Sequence, residues 1–228
     1  MEYTKARMSS PGQSELSRPV SSNQTGLHSQ LVPNLQRHIA HPFRRPPAPH
    51  SVAAYRALAE RLTAQRQPLV LDSFCGTGMS TALLAQRHPN HLVVGIDQSA
   101  HRLGKHPPGT AGNYLLLQAQ AEDIWALLLA DSYRADYHYL LYPNPWPKRK
   151  HLQRRIHGHG SFPLLLELGG QIELRSNWQL YAEEFGVAMH LSGRRGRISR
   201  ISGEPPLTLF EDKYRNSGHP LWAFTAPP

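Results

Sequence analysis

Residues 68–78 read P-L-V-L-D-S-F-C-G-T-G, and this stretch decides the fold. The apolar residues at 69–71 are typical of a strand that is buried on both faces of a sheet. The chain then turns through Gly76 and Gly78, which tolerate positive φ angles and let the backbone approach a ligand closely. A helix is predicted to follow at 77–87. A strand that leads into a glycine turn and a helix predicts the first unit of a parallel α/β sheet.

The same alternation continues through the rest of the chain. Short apolar runs predict strands, and helical periodicity predicts the helices between them. The predicted strands lie at 68–73, 91–97, 113–118, 137–142, 171–175, 193–202 and 221–225, and the helices at 77–87, 99–105, 121–129, 160–168 and 179–189, with a further helical pattern at 55–62. These elements predict an α/β fold, a three-layer sandwich in which a mostly parallel seven-stranded sheet lies between two layers of helices.

The composition divides the chain into two zones. Residues 1–50 are rich in Ser, Pro, Gln, Asn and Arg, with few aromatic residues. We expect this N-terminal extension to be partly disordered, over about the first 25 residues, because it cannot bury enough apolar surface to offset its chain entropy. The more apolar stretch 31–43 is expected to pack across a neighbouring surface. The folded domain is predicted at 51–228.

Charge and composition limit the class of protein. The 228 residues carry a formal net charge of +9 with a pI near 10.0, which favours a polyanionic partner such as nucleic acid. No apolar run approaches the ~20 residues of a spanning helix, and no secretory signal is evident. The single cysteine, Cys75, excludes an internal disulfide and suits a reducing compartment. We therefore expect a cytoplasmic monomer with no membrane association.

Acidic residues end the first two strands. Asp72 would repel a phosphate but could accept hydrogen bonds from an ammonium group, and the third glycine of the dinucleotide fingerprint is missing. Asp97, followed by Gln98, is placed to accept hydrogen bonds from ribose hydroxyls, although an acid there could instead cap a helix. Together they predict a cofactor that carries an ammonium group and a ribose but no phosphate. S-adenosylmethionine is such a molecule.

Polar residues also follow the third strand. Gln120 could bond the exocyclic amine of an adenine, next to Ala121. Glu122 and Asp123 offer an alternative interpretation, because acids at a helix start interact favourably with the helix dipole. Both readings remain open.

The fourth strand ends in P-N-P-W-P-K at 143–148. Prolines restrict the backbone on either side of Asn144, so its amide is held where strand ends bind ligands. Trp146 is either a loop anchor or a stacking face, and an anchor is favoured. A set of cations follows and is expected to face phosphates: Lys148, Arg149, Lys150, Arg154 and Arg155.

Histidines cluster in the same region, at His151, His157 and His159. No cysteine or carboxylate surrounds them at metal-ligand spacing. We expect no metal site.

The order of these motifs resembles the tRNA (guanine-N7)-methyltransferase family. The resemblance covers about residues 65–225 and rests on L-D-S-F-C-G-T-G, then V-G-I-D, Y-P-N-P-W-P-K-R-K-H-L-Q-R-R, R-S-N-W-Q-L-Y-A-E-E-F and P-L-T-L-F-E. It implies a class I methyltransferase (Rossmann-like) fold, S-adenosylmethionine as cofactor, and methylation of guanine N7 in tRNA. The implied cofactor-binding residues are Asp72, Phe74, Gly76, Gly78, Asp97, Gln98, Gln120, Ala121 and Asn144; the implied substrate-binding residues are Lys148, Arg149, Arg154, Asn177, Thr208 and Glu211; and Asn144 is the implied catalytic residue.

Three positions depart from the family pattern. Where the family prefers P-D-P-W, T-D-W and D-A, this chain has Asn144, Asn177 and Gln120. Each change replaces a carboxylate by an amide of similar shape. Because methylation at N7 makes guanine cationic, an amide should stabilise the transition state less than a carboxylate. Two alternatives stay open: methylation of an exocyclic amine of another RNA base, and a catalytically silent RNA-binding protein.

Overall fold

The computed structural model describes residues 16–107 and 112–228. Seven strands form one sheet in the order β3-β2-β1-β4-β5-β7-β6. All neighbours are parallel except for β7, which runs antiparallel to β5 and β6. The strands are β1 (Leu69–Ser73), β2 (Leu92–Asp97), β3 (Tyr114–Gln118), β4 (Tyr137–Leu141), β5 (Gln171–Ser176), β6 (Arg197–Arg200) and β7 (Trp222–Ala226). The predicted mostly parallel seven-stranded sheet is confirmed.

Helices cover both faces of the sheet. They are α1 (Leu31–Ala40), α2 (Pro49–Ala64), α3 (Met79–Arg87), α4 (Ala100–Leu103), α5 (Ala121–Ala130), α6 (Phe162–Leu168), α7 (Gln179–Leu191) and α8 (Leu209–Asn216). Two short 3-10 segments, Arg149–Arg154 and Ile156–Gly158, connect β4 to α6. The sequence did not predict α8, because its first residues were interpreted as a binding motif.

Alternate residues of the central strands point into two separate cores. On β1, Leu69 and Leu71 pack in the larger core with Leu58 of α2. Val70 lies between them and packs in the smaller core with Leu84 of α3. All three β1 residues are buried, as expected for a parallel strand covered by helices on both faces. Because β1 to β5 are parallel, their carboxyl ends lie at one edge of the sheet. Open α/β sheets bind ligands at this edge.

The N-terminal region packs onto the domain. We call residues 16–30 the strap. Gln24 is buried, and its amide nitrogen donates to the Glu184 carboxylate on α7 at 2.6 Å. The expected disorder over about the first 25 residues falls partly on residues 1–15, which lie outside the described residues. From residue 16 the extension follows a defined path, and α1 packs across α6 and α7, as predicted for 31–43. Within the described ranges, no helix has the length and apolar character to cross a membrane.

Gly170 offers a test of how tightly the sheet is built. It lies between α6 and β5 with φ at +71°, and a Cβ atom there would stand 2.3 Å from the carbonyl oxygen of Ala135. We expect Gly170→Ala to lower the free energy of unfolding by at least about 2 kcal/mol, because the strain of a positive φ and the clash with the Ala135 carbonyl both destabilise the folded state. Gly193→Ala is the matched control, because Gly193 has φ at +82° and open space around it. Chemical denaturation should show a smaller loss for the control; equal losses would contradict the clash.

Candidate active site

A cavity of about 410 Å³ opens at the carboxyl edge of the sheet. It is bordered by the turn after β1, the ends of β2 and β3, and the loop after β4. The volume lies within the range of small-molecule sites, about 300–1,000 Å³. Seven predicted site residues line it: Phe74, Asp97, Gln98, Gln120, Ala121, Asn144 and Arg154.

The Asp97 carboxylate organises the glycine turn. Its Oδ2 accepts from the backbone N–H of Gly76 at 2.9 Å, and its Oδ1 accepts from the N–H of Ser99 at 2.8 Å. Arg102 also donates to Oδ1 at 2.8 Å. A Cβ atom at Gly76 would meet nothing within 4 Å, so the turn leaves open space above it. Asp97 thus both builds the turn and lines the cavity, and any ribose contact would compete with Arg102.

Asp72 lies below the turn, fully buried, and does not line the cavity. Its Oδ2 accepts from the hydroxyls of Ser80 and Thr81, each at 2.7 Å, while Oδ1 has no hydrogen-bond partner among the described residues. Burial raises the pKa of Asp72 to about 6, against the lowering effect of the two hydroxyls. Because this pKa is raised from 3.8, the group contributes stability at low pH that is lost as pH rises through about 6.

A buried hydrogen-bond chain supports the floor of the cavity. The Trp125 indole N–H donates to Ser73 Oγ at 3.0 Å, and this hydroxyl lies 2.8 Å from His138 Nε2. Burial lowers the pKa of His138 to about 3, so the ring is neutral when it forms this hydrogen bond with the Ser73 hydroxyl. Trp125 is thereby held edge-on to Phe74, with ring centroids 6.1 Å apart. Neither hydrogen bond was predicted, because Ser73 is 52 positions from Trp125 and 65 from His138, and nothing in the sequence indicates that these residues pair.

The loop after β4 has a strained backbone. Tyr142 and Trp146 have φ at +52° and +45°, and Phe74 in the neighbouring turn has φ at +67°. Positive φ in bulky residues costs energy and concentrates at functional sites. The exposed Asn144 side chain accepts from the N–H of Trp146 at 3.3 Å, which closes the turn between the prolines.

Arg155 anchors this loop from inside the protein. Its guanidinium is fully buried, pairs with the Glu184 carboxylate, and donates to the carbonyl of Trp146 at 3.2 Å. It also donates to Gln24 of the strap at 3.0 Å. The prediction that Arg155 faces phosphates is therefore wrong. His157 shares the same carboxylate at 3.1 Å, and burial lowers its pKa.

The other cations of the loop lie at the surface. Lys148 and Lys150 are exposed. Arg149 is exposed as well, and its side chain donates to Ser29 of the strap at 3.0 Å. Arg154 lies over the Trp146 ring, 4.7 Å from its centroid. Trp146 is thus held both by its carbonyl and by its ring, as expected for a loop anchor.

The remaining predicted substrate residues are not among those that line the cavity: Thr208 and Glu211 lie at the start of α8, and Asn177 follows β5. Thr208 caps α8 by accepting from the N–H of Glu211 at 2.9 Å. The Glu211 carboxylate is fully buried and accepts from Arg175 at 3.0 Å and from Arg215 at 2.7 Å. The amide nitrogen of Asn177 lies 3.3 Å from His219 Nδ1. Contact of these residues with a substrate stays a prediction, since Thr208 and Glu211 are committed to structural hydrogen bonds.

Several cavity residues were not predicted. They come from segments far apart in the chain, including the region before α2 and the start of α7. The sequence offered signals for four of them: Glu122, which was interpreted as part of a helix start, Pro143 and Trp146 in the P-N-P-W-P-K motif, and His159 in the histidine cluster. The unpredicted lining residues are Arg45, Ile96, Arg102, Ala119, Glu122, Trp125, Pro143, Trp146, Ile156, His159, Ser161 and Tyr181.

Known proteins resemble this chain in sequence. A family model described as "Putative methyltransferase" matches residues 66–224. A tRNA (guanine-N(7)-)-methyltransferase of Saccharophagus degradans is 30% identical over 168 residues, which cover 68% of this chain and 73% of the relative. The protein of the same name from Nitrosospira multiformis is 30% identical over 173 residues, covering 68% of this chain and 72% of the relative.

Solved structures share the fold at lower identity. The 16S rRNA methyltransferase KamB aligns with a TM-score of 0.56 and 20% identity, over 75% of this chain and 92% of that one. An antibiotic-related methyltransferase aligns with a TM-score of 0.54 and 17% identity, over 73% and 91% of the two chains. The structural matches establish the class I methyltransferase fold, and the sequence matches show that the protein belongs to the tRNA (guanine-N7)-methyltransferase family, as a divergent member.

Proposed function

We propose that the protein methylates guanine N7 in tRNA with S-adenosylmethionine as methyl donor. The observation that carries this proposal is the cavity, where the glycine turn, Asp97, Gln120 and Asn144 converge on one opening at the carboxyl edge. The family relatives support the choice of reaction.

The residues around the cavity fit the cofactor. Phe74 of the glycine turn and Asp97 line the cavity, and the open space above Gly76 would let a ligand approach the backbone of the turn. Gln120 and Ala121 stand at the end of β3, where they would meet the adenine. Asp72 is buried below the turn with Oδ1 unpartnered among the described residues, and its contact with the ammonium group of the cofactor stays a prediction. When bound, S-adenosylmethionine supplies a methyl group on a sulfonium centre.

Asn144 would hold the acceptor base. Its side-chain oxygen is engaged by the Trp146 N–H, which fixes the amide in one orientation with the nitrogen available to donate. Guanine N7 carries a free lone pair, so no general base is required. The catalytic contribution of the loop would then be positioning, which can supply a large part of a rate enhancement.

RNA would approach over the exposed cations next to Asn144. Lys148 and Lys150 are exposed and adjoin the loop that lines the cavity. Such groups neutralise phosphates and release counterions, and therefore make affinity depend on salt.

Removal of the Asp97 carboxylate tests the cofactor site. We expect Asp97→Ala to weaken S-adenosylmethionine binding by roughly 10- to 150-fold, the loss that accompanies a charged hydrogen bond and its ordered turn. Arg102→Ala is the control: if a ribose takes the place of Arg102 on the carboxylate, affinity will be unchanged or higher. Isothermal titration calorimetry measures both. Unchanged affinity in Asp97→Ala would remove this residue from the cofactor site.

Restoring a carboxylate at position 144 tests the reaction. We expect Asn144→Asp to raise the single-turnover rate constant on tRNA by up to about tenfold, because a carboxylate stabilises positive charge that develops on the base. The substitution keeps the oxygen that accepts from Trp146, and Asn144→Ala, which removes it, should be slower than wild type. Nucleoside mass spectrometry identifies the product. A slower Asn144→Asp enzyme would favour an amine acceptor over N7, and no turnover in either form would favour a silent RNA-binding protein.

Paired lysine substitutions test the RNA-binding face. We expect the double change of Lys148 and Lys150 to alanine to reduce the slope of log affinity against log salt concentration by up to about two phosphate equivalents. Arg149 is left in place because it contacts the strap. The control changes Arg66 and Arg87, exposed residues at the opposite edge of the sheet, to alanine and alters the net charge equally. Equal slopes for the two double variants would show that the loop lysines contact no phosphate.

A further inference from the structure

Three aromatic rings form a ladder on α8 and the turn that follows it. The rings of Phe210 and Tyr214 lie nearly parallel, at an interplanar angle of 24°, with centroids 6.1 Å apart. Tyr214 and His219 are stacked at 16° and 5.4 Å. Tyr142, the residue that follows β4, packs against Tyr214 at 5.6 Å. The middle ring of the ladder, Tyr214, is thus packed against the residue that follows β4; His219 forms the inner end and Phe210 the outer end.

The topology places this ladder at the edge of the sheet that carries the cavity. The chain leaves β6 at Arg200 and enters β7 at Trp222, and these two residues are paired. Trp222 is also paired with Ser176, the last residue of β5. Residues 201–221, which include α8, are thus attached at the carboxyl ends of the parallel strands. The aromatic ladder and the loop that bears Asn144 therefore lie at the same edge of the sheet.

His219 joins the ladder to a predicted substrate residue. Its Nε2 lies 2.9 Å from the carbonyl oxygen of Ser17, which requires Nε2 to carry the proton. Nδ1 is then an acceptor, and the amide nitrogen of Asn177 donates to it at 3.3 Å. This fixes the orientation of the Asn177 amide beside the inner end of the ladder.

The outer rung is open to solvent and flanked by a cation. Phe210 is 49% exposed. Lys213, one helical turn on, is also exposed and lies on the same face of α8, whereas the exposed Asp212 points to the opposite face. An exposed aromatic face next to a lysine is the arrangement that binds unpaired nucleotides, with the ring stacking on the base and the cation meeting a phosphate.

We propose that Phe210 is a stacking platform for an unpaired nucleobase of the RNA substrate, next to the nucleotide that enters the cavity. The proposal rests on the proposed function, since it requires an RNA substrate. Stacking of this kind accepts any base, because every base has an aromatic face. Phe210 would contribute to binding the RNA and would have no part in the chemistry at the methyl acceptor.

The test measures dissociation constants for an unmodified tRNA transcript with the full chain at one salt concentration. We expect Phe210→Ala to raise the dissociation constant by roughly 5- to 150-fold, the loss that accompanies removal of one base–aromatic stack. Phe210→Trp should retain the affinity because it keeps an aromatic face. Leu209→Ala is the matched control: Leu209 adjoins Phe210 on the same helix and is 57% exposed, but it has no ring to stack. S-adenosylmethionine affinity and thermal stability should be unchanged in all three variants.

Several results would overturn the proposal. Equal losses for Leu209→Ala and Phe210→Ala would indicate a general apolar contact, and no loss for Phe210→Ala would exclude any contact. A change in oligomeric state in Phe210→Ala without a change in tRNA affinity would identify the patch as a protein interface. If wild-type protein does not bind tRNA at all, the proposed function fails first, and this is seen before any variant is measured.

Discussion

The buried ion pair between Arg155 and Glu184 is the interaction on which the site depends. Both side chains are fully buried, so each charge requires the other as a partner. Removal of one partner from such a pair typically costs about 3–5 kcal/mol, because the remaining charge is left uncompensated. Here the pair also joins three separate segments: the loop after β4 through the Trp146 carbonyl, helix α7 through Glu184, and the strap through Gln24. The geometry of the loop after β4 is therefore set by groups buried inside the protein.

The same interactions maintain a strained backbone. Phe74, Tyr142 and Trp146 adopt positive φ angles, each at a cost of about 1–2 kcal/mol for a residue with a side chain. They follow β1 and β4, which are adjacent strands, so the strain is concentrated around one opening. Hydrogen bonds to backbone carbonyls restrain each region. The N–H of Cys75 donates to the carbonyl of Ile96, and the N–H of Tyr142 donates to the carbonyl of Arg175. The Arg155 guanidinium donates to the carbonyl of Trp146. These hydrogen bonds therefore hold the backbone around the cavity in place before any ligand binds.

The charges that line the cavity suit RNA better than they suit a cationic transition state. Arg45, Arg102 and Arg154 line it, whereas Asp97 and Glu122 are the carboxylates among its described lining residues. Asp97 is already engaged by two backbone N–H groups and by Arg102. Among the described lining residues, this leaves Glu122 as the carboxylate without a salt bridge. One carboxylate offers limited stabilisation of a methylated guanine, so catalysis at this site would depend strongly on the orientation of the base by the loop.

The sequence by itself determined the sheet, the edge that carries the cavity and many of the residues around it. Apolar runs, helical periodicity and the glycine turn are local patterns, so the order of elements from β1 to α7 was predictable, and acids at strand ends necessarily meet at one edge. Only the tertiary structure decided that the side chains of Arg155 and Glu211 are buried and which partners they have. In the sequence Arg155 is one cation among several and Glu211 one acid in a motif, yet both are buried and paired with residues 29 and 36 positions away. The sequence of a run of cations does not show which member faces solvent and which pairs with a buried carboxylate. The pairing depends on which distant segments the fold brings together. The Ser73–His138–Trp125 hydrogen bonds escaped prediction for the same reason, because they require side chains from three different elements to meet in space. The aromatic ladder escaped prediction because α8 itself was not predicted.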